Sequence, residues 1–365
     1  MSSEITIYSV YEVFTRPSLV KYFNNTQWQS FIRVVRGADL LASFYYLLER
    51  SNLIQYVPNF WLKHLTSAKT YADRQAHQVV NECKLLESVL SQIQVKPIFL
   101  KGAAYVLRQD TNHYGRVMSD IDILVNKSEL QMVEECLKRN DWVEKELDIY
   151  DQQYYRKWAH ELPPFIHKFK GTTLDIHFTL IPPITGIVLE EKALFENAQL
   201  TSSNLYVLHH NLLVLHCMIH LFYNEDFSKS FRDILDIHVL VEELDTQSGL
   251  EELSCLAKTM GFYREFFYAL SVKDKIFNTN KVSMYNFKPP SFTYSNRYFV
   301  NNILYRGMMP SHELIFNRWN SFAQFILFIR GHILKMPLKV LIPHLFTKAK
   351  RRLITSIMGA HHYEK

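Results

Sequence analysis

The stretch from Pro97 to Val125 constrains this chain most. It runs Pro-Ile-Phe-Leu-Lys-Gly, passes through a connector, and ends in Ser-Asp-Ile-Asp-Ile-Leu-Val. The last part has the alternation of a strand, whose successive side chains leave on opposite faces. Asp120 and Asp122 therefore share one face, while Ile121, Ile123 and Val125 turn the other way into a core. Two neighbouring carboxylates repel, and each ionised group costs free energy unless a cation compensates it. Paired carboxylates with open positions suit a hard, oxygen-seeking ion such as magnesium, which also binds substrate phosphates.

A third carboxylate points the same way. From Thr172 to Leu180 the residues Leu174, Ile176, Phe178 and Leu180 alternate with Thr173, Asp175, His177 and Thr179, the pattern of a half-buried strand. Were this strand to lie beside the Asp120 strand, three carboxylates would meet at one spot. That is enough for two metal ions roughly 4 Å apart, an arrangement used for in-line displacement at phosphorus.

The chain's 365 residues allow two or three domains, and 48% apolar content makes it globular. Only 10 glycines argue against a loop-rich all-β protein. A net charge of +5 is compatible with anionic ligands. It is low for a nucleic-acid partner, and no aromatic–basic recognition motif appears. Cys83, Cys136, Cys217 and Cys255 form no C-x-x-C pair and read as reduced, buried thiols of a cytoplasmic protein. No signal-peptide succession is visible, and no apolar run approaches the ~20 residues of a membrane span.

In chain order, residues 1–75 read as a helical region. Ser30 to Arg50 carries helix-spaced apolar residues interrupted at Gly37, and a second helix is expected over Asn59 to Ala72. These helices carry no visible chemistry and should cover the neighbouring α/β unit, expected over residues 76–195. That unit contains a helix over Ala76 to Ile93, a strand Ile98 to Leu100 after Pro97, a helix Ala103 to Arg108, the Asp120 strand, and a helix Glu129 to Arg139 capped by Ser128. Trp142 to Ile149 and Phe165 to Phe169 are further strand candidates before the Asp175 strand, and Pro182-Pro183 is punctuation.

Residues 196–275 read as a helical domain. Leu208, Leu212, Leu215, Ile219 and Phe222 form one stripe, Phe231 to Glu243 is a second helix, and Glu251 to Phe267 a third. Residues 276–365 are aromatic, irregular up to 320 and then basic: Ser321 to Thr355 holds seven Lys or Arg and no Asp or Glu.

Taken together, Leu100-Lys101-Gly102, Arg116, Ser119-Asp120-Ile121-Asp122-Ile123-Leu124-Val125 and Leu174-Asp175-Ile176-His177 resemble the signature of the uncharacterised nucleotidyltransferase family. That family lies within the DNA polymerase β-type nucleotidyltransferase superfamily. His160-Glu161-Leu162-Pro163-Pro164 and the region of His216, His220, Arg232, Asp233 and Asp236 fit the same resemblance, with a looser match at Met309-Pro310. It implies an α/β (α+β) fold: a nucleotidyltransferase-type mixed sheet flanked by helices, with mainly helical N- and C-terminal additions.

The resemblance also implies roles. Asp120, Asp122 and Asp175 would be catalytic and hold magnesium, or manganese in its place. Lys101, Gly102, Arg116, Ser119 and His177 would meet the phosphates of a nucleoside triphosphate. Superfamily members carry a Gly-Ser or Gly-Gly turn before the carboxylate strand; here the turn is Lys101-Gly102, with a long connector to Asp120. A helix starting there would offer backbone N–H groups to an anion. The expected reaction moves a nucleoside monophosphate to an acceptor hydroxyl, on a small molecule, saccharide, peptide or protein, and releases pyrophosphate. The contrasting expectation is a catalytically weak nucleotide-binding accessory or regulator, such as a toxin–antitoxin or biosynthetic-cluster partner.

Other features have plainer readings. His216 and His220 have metal-ligand spacing but lack the glutamate of the metalloprotease pattern. Arg232, Asp233 and Asp236 read as an ion-pair network. The basic stretch 321–355 reads as a packed terminal helix with a solvated basic face, as peripheral contact with the anionic inner membrane surface, or as contact with a polyanionic acceptor.

Overall fold

The structure, a computed structural model, describes residues 7–147, 159–290 except 188, 197 and 245, 297–336, 339–342 and 345. It opens with four helices: α1 (Ile7–Thr15), α2 (Asn25–Gly37), α3 (Leu41–Arg50) and α4 (Asn59–Ser91). As expected, Gly37 ends a helix. The two helices expected between Asn59 and Ile93 are instead one 33-residue helix. No Gly or Pro lies between Ala72 and Ala76, so nothing stops propagation there.

The sheet elements follow: β1 (Ile98–Phe99), α5 (Lys101–Arg108), β2 (Ile121–Leu124), α6 (Leu130–Arg139), β3 (Trp142–Glu144), β4 (Phe165–His167), β5 (Thr173–His177), β6 (Gln199–Leu200) and β7 (Tyr206–Val207). They make one mixed sheet in the order β3-β4-β5-β2-β1-β7-β6. At its centre β2 runs parallel to β5 and antiparallel to β1. Three sequence expectations change in detail. Asn126 rather than Ser128 caps the run into α6, because its side chain and that of Glu129 make a reciprocal capping box. The helix after β1 starts at Lys101 itself, two residues earlier than Ala103. The strand expected over Trp142 to Ile149 ends at Glu144, and residues 148 and 149 lie outside the described part.

The longer helices that follow are α7 (His210–Tyr223), α8 (Ser230–Glu243), α9 (Gln247–Thr259), α10 (Tyr263–Phe277) and α11 (Arg318–Lys335). The single helix expected over Glu251 to Phe267 is thus two. Gly261 breaks it in the left-handed region at φ +82°, where an L side chain is strained. Helix α7 is buried nearly all round rather than along one stripe, because α8, α9, α10 and α11 all pack against it. Within the stretch expected to be irregular, Phe299–Leu304 forms a π-helical turn. One continuous apolar core runs from Val10 to Leu327. Of the cysteines, Cys83 and Cys136 are buried as expected, whereas Cys217 is half-buried and Cys255 exposed on α9. No described helix is long and apolar enough to cross a membrane.

Candidate active site

The pairing of β2 with β5 sets the geometry. Asp122 and Asp175 are direct partners in a parallel register, with Ile123 opposite Ile176 and Leu124 opposite His177. Partners in such a ladder carry their side chains on the same face, so two carboxylates distant in sequence stand next to each other. Ile121, Ile123 and Val125 are buried on the opposite face, as the alternation requires. Asp120 immediately precedes β2.

Burial makes this acidic group costly. Desolvation first, then the charges of Asp122, Glu161 and Asp120, push the Asp175 carboxyl from 3.8 up to about 7. Its Oδ1 is buried without a hydrogen-bond partner. Desolvation and Asp122 likewise raise Asp120. Asp122 goes the other way: burial would raise it, but Lys101 and His177 outweigh burial and hold it ionised. Both reach the same oxygen. Lys101 Nζ donates to Asp122 Oδ1 at 2.7 Å, and His177 Nε2 lies 2.8 Å from that atom.

Lys101 is positioned by the backbone. It opens α5 with φ +47°, a left-handed conformation that costs a non-glycine residue of order 1 kcal/mol. The Leu100 N–H before it donates to the Asp122 carbonyl at 3.0 Å, tying the turn to β2. Next to it, a Cβ on Gly102 would lie 2.5 Å from Met118 Cγ. The connector is gripped from α4, where Gln75 Nε2 donates to the Met118 carbonyl and the Met118 N–H donates to Gln75 Oε1. From α3, Ser43 Oγ donates to the Gly115 carbonyl. The N-terminal helices that showed no chemistry in sequence thus hold the loop that delivers Ser119 and Asp120.

Lys101, Gly102, Arg116, Ser119, Asp120 and Asp122 all line one cavity of about 140 Å³. Asp175 and His177 neighbour Asp122 from β5 but do not line that cavity. Arg116 is not a free cation: its Nε donates to Asp236 Oδ2 at 2.7 Å, and Asp233 lies 4.0 Å away. Burial alone would lower the guanidinium pKa, but Asp236 and Asp233 overcome this and raise it. The Arg232, Asp233 and Asp236 network read from sequence is therefore real, and it forms part of the cavity wall.

His216 and His220 face this site from α7, and burial drives both below their usual range, His216 to about 3. Among the described residues they join no cluster of metal-ligating atoms; His160, Glu161 and His177 do. Glu161, within the His160-to-Pro164 stretch of the resemblance, is expected beside the cleft but is given no chemical role by the sequence. It bridges to His177 across an irregular segment, with Oε2 3.4 Å from His177 Nε2. A loop residue has no period, so only its place in the resemblance motif marks it.

The donor set suits a divalent cation. It offers an orphaned carboxylate oxygen and clustered, partly desolvated acids, which are oxygen ligands for a hard ion. Comparison with known proteins adds a family. The model of a family described as uncharacterised nucleotidyltransferase matches residues 24–278, from the cap of α2 to the end of α10. No curated protein and no solved structure matches the chain.

Proposed function

The chain belongs to the uncharacterised nucleotidyltransferase family, and on that premise we propose that it transfers a nucleoside monophosphate from a nucleoside triphosphate to an acceptor hydroxyl and releases pyrophosphate. The observation that carries this reading is the in-register placement of Asp122 beside Asp175, with Asp120 and Asp122 lining one cavity. Asp120, Asp122 and Asp175 would hold magnesium or manganese. When bound, the metal would neutralise charge on the transferring phosphoryl oxygens, the dominant stabilising effect in such reactions.

The chain's own groups supply the rest. Lys101 brings a positive charge to the cavity wall, where triphosphate oxygens would sit. The Gly102 N–H, in the first turn of α5, faces an anion with the favourable end of the helix dipole. His177 holds Asp122 in place, and Asp175, its carboxyl raised to about 7 by burial and neighbouring acids, would take the acceptor hydroxyl's proton. Arg116 shapes the wall through Asp236 and adds its field.

A second reading rests on the Lys101–Asp122 pair. An internal cation already compensates one acidic ligand, which is what a regulatory relative that binds nucleotide without turnover would need. One experiment separates the two. Nucleotide binding and pyrophosphate release are measured with magnesium for the native chain and for Asp120→Ala/Asp122→Ala. Binding with release that disappears in the variant supports transfer. Binding without release supports the regulatory reading, and undiminished activity in the variant sinks the site.

A further inference from the structure

Helix α11 has two apolar faces, and only one is used. Asn320, Ala323, Leu327 and Gly331 are buried against the protein. The seat is close: a Cβ on Gly331 would lie 2.5 Å from the Asn224 carbonyl oxygen, so only glycine lets the backbones approach this far. Arg330 Nη1 donates to the Phe222 carbonyl at 2.9 Å, its Nη2 reaches Glu265, and Lys335 pairs with Glu225. At the other end Asn317 caps the helix with a reciprocal box.

On the outer side, Trp319 is 67% exposed, Phe322 51%, Phe325 57% and Ile333 49%, with Ile329 between them also exposed. At about 100° per residue these five fall within an arc of roughly 120°. Phe328 flanks the arc, and Ile342 beyond the helix is 65% exposed. A typical monomer's largest apolar patch is about 300–600 Å² and tends to be functional.

The charge around this face identifies its occupant. Arg318 and Lys339 are exposed at its ends. The sequence beyond adds Lys348, Lys350, Arg351 and Arg352, and no acid occurs from Ser321 to Thr355. A symmetric dimer through this face would bring Arg318 and Lys339 of two copies together, since a two-fold interface joins identical patches. An anionic lipid surface matches both the aromatic stripe and the cations. We propose that the outer face of α11 docks on an anionic bilayer, with Trp319, Phe322, Phe325, Ile329 and Ile333 entering the headgroup region and Arg318 and Lys339 meeting lipid phosphates. This inference stands apart from the nucleotidyl-transfer reading.

The test is flotation of the full chain with vesicles of phosphatidylcholine alone or mixed with phosphatidylglycerol, together with light scattering in solution. The native chain floats with the anionic vesicles only. Phe322→Asp/Phe325→Asp, two exposed positions whose change leaves the core intact, stays at the bottom. Arg318→Gln/Lys339→Gln binds about 25-fold more weakly, about fivefold per cation removed. No flotation, or equal flotation with both vesicles, overturns the proposal. So does a native dimer that Phe322→Asp/Phe325→Asp converts to monomer, which would assign the face to a second copy.

Discussion

Asp175→Asn tests the buried carboxylate cluster most directly. With the Asp175 carboxyl raised from 3.8 to about 7, the folded state keeps a proton between those values that the unfolded state has lost. Metal-free stability therefore falls as pH rises through that window and is lowest above it. At about 1.4 kcal/mol per pH unit, ionising Asp175 costs the folded state roughly 4 kcal/mol at pH 8. Asn is nearly isosteric and never ionises, so the variant escapes that cost. Asp122 acts in a different range: its lowered pKa contributes stability above 3.8 that is lost only as pH falls toward the folded value. For a chain of this length about 1 kcal/mol moves Tm by roughly 1.3 °C, so Asp175→Asn should gain about 5 °C at pH 8 in EDTA and nothing near pH 4. Magnesium at pH 8 should reverse the order, because only the native cluster gains binding energy. The assay is thermal unfolding of both proteins across pH with and without magnesium. A variant no more stable than the native chain at pH 8, or equally more stable at pH 4, would refute the electrostatic argument.

Three further outcomes rest on the same geometry. Arg116→Ala leaves Asp236 buried without its ion-pair partner and should destabilise by about 3–5 kcal/mol in urea unfolding, whereas Arg116→Ala/Asp236→Ala should lose less than Arg116→Ala alone. Gly115→Ala should cost at least 2 kcal/mol, of order the strain expected when a Cβ at φ +77° meets the Ala42 carbonyl carbon at 2.4 Å; an unchanged urea midpoint would contradict the packing. Lys101→Met removes the cation on Asp122, so calorimetric titration should find tighter magnesium binding while pyrophosphate release falls.

The carboxylate strand was legible from sequence because its evidence is local. A period of two, read over Ser119 to Val125, separates Asp120 and Asp122 from Ile121 and Ile123 without knowledge of any neighbour. The Asp175 strand was legible for the same reason. Longer-range features were not. Asn59 to Ser91 shows two apolar patches whose joining depends on what packs against them, and Gly261 marks a break only through a φ that composition does not reveal. Arg116 reads as a cation for phosphate, and only the fold shows that Asp236, 120 positions later, holds its guanidinium.

What the sequence determined by itself was the chemistry on offer: acids at strand spacing, Lys101-Gly102 at a turn, and a C-terminal region rich in cations and aromatics. The tertiary structure alone decided which groups meet. Register between β2 and β5 is set by packing Ile123 and Ile176 into a shared core, and no local pattern carries that information across about 50 residues of chain. The same holds for α11, where sequence shows two apolar faces and only the fold decides that Leu327 is covered while Phe325 is left facing outward.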